Sequence, residues 1–170
     1  MKLFKVPVLG FAAYSGTGKT TLLVRLIPLL KQQGVRVAMV KHAHHEFDID
    51  IPGKDSYELR KAGADQVLVA SDRRRALVRE MATPAEPRLE ELVKKLDLDE
   101  VDLVLVEGFR HMPFPKIELH RPSLQKGLIF PNDANVIAVA ADEVIDTHGL
   151  LLLDINQPEH LVKFICEWMV

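Results

Sequence analysis

Eight residues near the start of the chain, Ala13-Tyr14-Ser15-Gly16-Thr17-Gly18-Lys19-Thr20, constrain its fold more than any other stretch. They have the Walker A form, with Ala13 in place of the first glycine. An apolar run from Val6 to Ala12 precedes them, and Leu22, Leu23, Leu26 and Ile27 follow at helical spacing. Strand, glycine-bearing loop and helix in that order make a phosphate cradle. Gly16 and Gly18 let the loop turn its backbone N–H groups inward. Lys19 places a point charge at the β- and γ-phosphates, and the Thr20 hydroxyl can ligate Mg2+. The amino terminus of the helix adds its own partial positive charge. Lys19 and Thr20 are therefore the residues expected to carry phosphate chemistry.

The rest of the chain supplies the alternation that such a cradle needs. Apolar spacing predicts a helix from Gly18 to Gln33, with Pro28 inside it and Gly34 as its stop, and then a strand over Val35 to Val40. A short helix is expected from Asp55 to Ala62, strands over Gln66 to Ala70 and Arg75 to Glu80, and a helix from Arg88 to Leu96. Val101 to Val106, Lys116 to His120, Val136 to Ala140 and Leu150 to Leu153 read as strands, and Pro158 to Trp168 as a closing amphipathic helix. Residues 121–133 read as a loop or partly ordered segment. The alternation predicts an α/β fold, a P-loop-type doubly wound sheet that is mostly parallel, with helices on both faces and room for antiparallel edge strands. Arg75 to Glu80 and Lys116 to His120 are the candidate exposed edges for pairing between subunits.

Composition narrows the function classes. A length of 170 residues with 48% hydrophobic content fits one domain over residues 1–170. The net charge of −2 gives no electrostatic case for nucleic acid or an anionic membrane as partner. A single cysteine, Cys166, excludes an intrachain disulfide framework and suits the cytoplasm. Lys2 and Lys5 followed by Pro7 to Tyr14 loosely imitate a signal peptide, but cleavage there would destroy the strand of the phosphate loop. No apolar run approaches the ~20 residues that span a bilayer.

Three further constellations could serve the loop. A nucleotide site of this type needs an acidic residue at the end of a neighbouring strand, and Val101 to Val106 delivers Glu107 there, making it the candidate Mg2+ residue beside Thr20. Asp102 would sit at the wrong end of that strand. Lys41 to Asp50 follows a strand and holds His42, His44, His45, Asp48 and Asp50. It reads as a solvated loop beside the phosphates, with Asp50 positioning water or Mg2+ and Lys41 or His42 meeting anionic oxygens. A metal cluster is the lesser reading, since the spacing is not that of a zinc site. Asp142 ends another buried strand, and its carboxylate could accept from N1–H and N2–H of guanine, a donor pair that adenine lacks. A plain loop aspartate is the alternative. Arg73 to Arg75 reads as a solvated turn, with a nucleotide or anionic-partner contact as the lesser reading, and Arg110 and His111 are placed to meet an anion by position alone.

With these motifs in place, the chain resembles the MobB family, GTP-binding adaptors of molybdopterin-guanine dinucleotide biosynthesis. The resemblance rests on Phe11 to Leu22, on Lys41-His42-Ala43-His44-His45 with Asp48 to Asp50 and Pro52 to Ser56, on Leu59 to Ala64, and on Leu103 to Phe109. The first stretch alone is generic to P-loop proteins; the second and third are much narrower. The resemblance implies GTP with Mg2+, slow intrinsic hydrolysis, a homodimer, and a supporting role beside the guanylyltransferase that joins GMP to molybdopterin, among other molybdenum cofactor proteins. It implies that Ser15, Gly16, Thr17, Gly18, Lys19, Thr20 and Thr21 hold the phosphates, and that Thr20 and Glu107 hold Mg2+.

The expected function is thus a GTP-binding accessory protein, at most a slow GTPase that needs a partner. No residue is assured to orient the attacking water, and no in-chain arginine finger stands out. A P-loop small-molecule kinase is the rival reading; it would need a base and a mobile basic lid, and residues 121–133 offer only Arg121 and Lys126.

Overall fold

Apolar runs without alternation build the middle of a parallel sheet, because such strands are covered on both faces. The computed structural model describes residues 4–43, 47–83 and 85–170. In chain order its elements are β1 (Val8–Ala12), α1 (Lys19–Gln32), β2 (Val37–Lys41), α2 (Asp55–Lys61), β3 (Gln66–Ala70), β4 (Arg75–Arg79) and α3 (Leu89–Val93). There follow β5 (Leu103–Glu107), β6 (Lys116–His120), β7 (Val136–Ala141), β8 (Leu151–Asp154) and α4 (Pro158–Met169). The chain divides into two compact units: residues 1–42 with 88–170, and residues 43–87.

In the larger unit six strands run in the order β2-β5-β1-β6-β7-β8, and every pairing is parallel. On one face α1 and α4 pack through Leu22, Leu23, Leu26, Leu30, Leu161 and Ile165 against Leu9, Phe11, Leu105, Ile117 and Leu119. On the other, Leu89 and Val93 of α3 cover Val8, Val104 and Val106. The helix expected over Arg88 to Leu96 is only five residues long, Leu89–Val93. Pro28 lies within α1 as anticipated. Cys166 is half-buried against the α1–α4 core.

β6 corrects the expectation of an exposed edge. Lys116 to His120 pairs with β1 on one side and β7 on the other, and all five residues are buried. Pairing on both sides is what removes the edge, and the charged face of the strand is covered as well. Ile117 and Leu119 enter the α1–α4 core, while Lys116 and Glu118 meet the crossover that leads to β7. The Lys116 ammonium donates to the Met112 carbonyl at 2.7 Å and the Asp133 carboxylate at 2.8 Å, and lies over the Phe114 ring. The Glu118 carboxylate accepts the backbone N–H groups of Ile129 and Phe130, both at 2.8 Å. Burial, the largest influence on Glu118, pushes its carboxyl above the usual range, and those two bonds oppose the shift. Residues 121–133 are therefore anchored, with 3-10 turns at Pro122–Leu124 and Phe130–Asn132, rather than a partly ordered loop.

In the smaller unit β3 and β4 form a separate antiparallel pair, from Gln66 opposite Arg79 to Ala70 opposite Arg75. The antiparallel strands thus form a ladder of their own and are not strands of the six-stranded sheet. Arg60 of α2 gathers three carboxylates, donating to Asp48, to Asp50 at 3.3 Å and to Glu80 at 2.8 Å. Among the described residues no helix is long and apolar enough to cross a membrane.

Two outcomes follow from these charges. Glu118→Ala leaves the buried Phe130 N–H and the half-buried Ile129 N–H without an acceptor, at up to about 1–3 kcal/mol for each, and should lower the urea midpoint with little change in slope. At the amino ends of β2 and β5, Asp102 accepts from the Arg36 backbone and guanidinium, which holds its carboxyl down at about 2. The folded value lies below the unfolded one, so this stabilisation is complete above pH ~4 and is lost as pH falls toward ~2. Thermal melts of Asp102→Asn should show the largest deficit relative to wild type above pH ~4, with the gap closing in acid.

Candidate functional site

The chain leaves β1 at Ala12 and turns back through the loop into α1. Thr17 is buried, and both its N–H and its hydroxyl donate to the Tyr14 carbonyl, at 3.4 Å and 2.8 Å. Gly18 takes a left-handed backbone, φ +92°, immediately before the first helical residue, a conformation in which a side chain would be strained. Its carbonyl accepts the Leu22 N–H at 2.9 Å and starts the helix. Ala13 is not among the residues with positive φ, so its replacement of glycine introduces no backbone strain. Ser15, Gly16, Thr20 and Thr21 are exposed on the loop and the first turn, and Lys19 is half-buried beside them. The predicted phosphate residues are brought together.

Glu107 stands where the sequence expected it. The order β2-β5-β1 places it at the carboxyl edge, in register with Lys41 on one side and Phe11 on the other. One carboxylate oxygen lies 3.8 Å from the Lys19 ammonium and the other 3.7 Å from that of Lys41. Asp102 lies at the opposite end of β5, paired with Arg36. After Glu107 the chain turns through two left-handed residues, Gly108 (φ +96°) and Phe109 (φ +53°). A Cβ on Gly108 would come within 2.6 Å of the His42 Cβ. His42 is built into this corner: its N–H donates to the Glu107 carbonyl at 2.8 Å, and its ring stacks on Phe109 with centroids 4.7 Å apart.

Other expected residues are distributed differently. Asp50 is bonded within the smaller unit, to Ser56 and Arg60. His44 and His45 lie outside the described residues, and among the described residues no group of three or more His, Cys, Asp or Glu could hold a metal. Arg110 donates to the His111 ring at 3.1 Å. The pair borders a cavity of about 520 Å3, which also touches Tyr14 of the loop and Asn132 to Asn135 before β7.

Asp142 follows β7 directly, and one of its oxygens is ion-paired with Arg121. Its other oxygen is shielded from solvent and, among the described residues, without a hydrogen-bond partner. The Arg121 Nε donates to the Thr17 carbonyl at 2.9 Å. Sequence reasoning counted Arg121 only as part of a poor lid. The signal it carried was its place immediately after β6, the strand beside β1.

A parallel sheet in this order, with a Walker A loop between β1 and α1 and a carboxylate ending the adjacent β5, defines a P-loop α/β protein. The family model described as Molybdopterin guanine dinucleotide synthesis protein B matches residues 8–142, and the chain belongs to that family. It is 49% identical over 170 residues to the molybdopterin-guanine dinucleotide biosynthesis adapter protein of Escherichia coli K12, covering 96% of this chain and 94% of that one. The protein of the same description from Haemophilus influenzae is 43% identical, over 97% and 90% of the two chains. A solved structure titled molybdopterin-guanine biosynthesis protein B superimposes with a TM-score of 0.74 at 26% identity, covering 95% of this chain and 99% of the other. Bacillus subtilis MobB, at 24% identity and a TM-score of 0.76 over 96% and 98% of the chains, shares the fold.

The Gly108 corner gives a direct check on the site's construction. Gly108→Ala combines positive φ with a clash against the His42 Cβ, so it should cost about 1–3 kcal/mol in chemical denaturation. It should also shift the His42 ring resonances as the stack on Phe109 is displaced.

Proposed function

We propose that the protein is a GTP-binding adapter in molybdopterin-guanine dinucleotide biosynthesis, acting with a guanylyltransferase and other molybdenum cofactor proteins, and at most a slow GTPase by itself. The observation that carries the reading is the phosphate loop with Lys19 and Glu107 facing each other at its mouth, in a chain whose relatives are described as adapters along nearly their whole length.

Ser15 to Thr21 would hold the phosphates, with backbone N–H groups and Lys19 supplying the positive field. Mg2+ suits the donors available, since the Thr20 hydroxyl and the Glu107 carboxylate are both hard oxygen ligands. Two protein donors are too few to hold the ion alone, so it would bind with the nucleotide's phosphate oxygens. The ion would neutralise charge developing on the β- and γ-oxygens. Lys19 lies between Glu107 and the loop, able to exchange the carboxylate for a phosphate. Guanine preference would rest on Asp142, whose unpartnered oxygen is an unused acceptor that a base reaches once it is uncovered. A homodimer fits the β3–β4 pair, which carries exposed Leu68 and Leu77 on a ladder of only two strands. The kinase reading gains nothing, because the segment after β6 is tied down at Glu118 and Lys116 rather than hinged as a lid.

Calorimetry with GTP and ATP in Mg2+ tests the proposal. GTP should bind at least about tenfold more tightly than ATP, a difference of ~1.4 kcal/mol, and Lys19→Ala should abolish measurable binding of both. ATP preference, or binding that ignores Lys19, would sink the reading.

A further inference from the structure

We propose that Arg121 is a positioning residue that couples base recognition at Asp142 to the shape of the phosphate loop. The inference rests on the nucleotide-binding reading above.

The Arg121 guanidinium is shared between two elements that sequence alone leaves unconnected. Its Nε donates to the Thr17 carbonyl at 2.9 Å, and its Nη1 is ion-paired with Asp142 at the end of β7. Its Nη2 lies 4.0 Å from the position that a Cβ on Gly18 would occupy, so the planar group lies along the loop itself. In a trans peptide the carbonyl and the following N–H point in opposite directions. Fixing the Thr17 carbonyl toward Arg121 therefore fixes the Gly18 N–H away from it. Thr17 is itself held by two bonds to the Tyr14 carbonyl, through its N–H and its hydroxyl, so the residue from which this peptide extends is fixed.

The same fork also sets Asp142. One oxygen is held by the arginine; the other is sealed and has no partner among the described residues. A base that donates to the second oxygen, once that oxygen is uncovered, meets a carboxylate held in place by the group that orients the phosphate loop. Tight base contact and a correctly aimed loop then favour each other, which is a coupling free energy between two parts of one ligand site. A lysine cannot replace this arrangement, because a point charge on a flexible stem does not serve two acceptors in fixed directions.

The test uses the full chain as wild type, Arg121→Ala, Arg121→Lys, Asp142→Asn and the Arg121→Ala/Asp142→Asn double variant. Calorimetry with Mg2+ would read GTP, ATP and inorganic tripolyphosphate, after circular dichroism establishes folding. Arg121→Ala should weaken GTP by about 5–150-fold, the range of a typical coupling. It should bring the GTP/ATP ratio close to that of Asp142→Asn, and the double variant should be no worse than the weaker single. Tripolyphosphate, which has no base, should lose less than GTP does. Arg121→Lys should follow Arg121→Ala in the ratio, and it carries the test if the alanine variant does not fold. A wild-type GTP/ATP ratio retained in either arginine variant, or penalties that multiply independently in the double variant, would overturn the inference alone. GTP binding that is absent or independent of Lys19 in the wild-type chain would overturn the proposed function and this inference together.

Discussion

The structure depends on two opposite charges buried on one face of β6. Parallel neighbours need a crossover, and an α-helix is the usual way to cover the sheet while making it. Between β6 and β7 there is no α-helix, only residues 121–135 with their two 3-10 turns. Such a segment cannot satisfy its own backbone as a helix does, and buried N–H groups without partners are costly. Glu118 supplies the missing acceptors for Ile129 and Phe130, and Lys116 fastens the far end at Asp133. Phe130 then covers Val136 and Val139 in place of a helix. A crossover pinned at both β6 positions leaves β6 in a fixed direction, and Arg121 is its first residue.

That sequence of constraints reaches the phosphate loop from the side opposite Glu107. On one flank, β5 sets a carboxylate between Lys19 and Lys41. On the other, Arg121 holds the Thr17 carbonyl. Around Glu107 two cations meet one partly buried carboxylate, an imbalance that favours an added anion. Under the proposed function, Lys19 would turn to phosphate and Glu107 would be left to hold Mg2+. The arginine flank has no such imbalance, because Asp142 already balances Arg121. The two flanks divide the work: one responds to charge, the other holds shape.

How much of this was legible in the sequence follows from the kind of interaction involved. The loop, Glu107 and the parallel core were legible because they depend on local pattern: glycine spacing, an apolar run and the residue that ends it. Gln66 to Ala70 and Lys116 to His120 were placed to the residue for the same reason. The burial of β6 was not legible, since alternation of Lys116, Glu118 and His120 with Ile117 and Leu119 is the pattern of a half-exposed strand. Apart from the Met112 carbonyl, the partners that receive those charges are distant in sequence: Ile129, Phe130 and Asp133. Arg121 was missed likewise: its partners are Thr17 and Asp142, far off on both sides, and no spacing rule connects them.

The engagement of Arg121 also bears on catalytic rate. An arginine accelerates phosphoryl transfer when its guanidinium meets the transferring group as charge develops. Here Nε and Nη1 are committed to a backbone carbonyl and a carboxylate, and freeing them would forfeit a charge-assisted contact in a partly buried setting. The residue that could have served as an in-chain finger is thus spent on holding the loop. Under the proposed function, that commitment accords with slow hydrolysis by the chain alone.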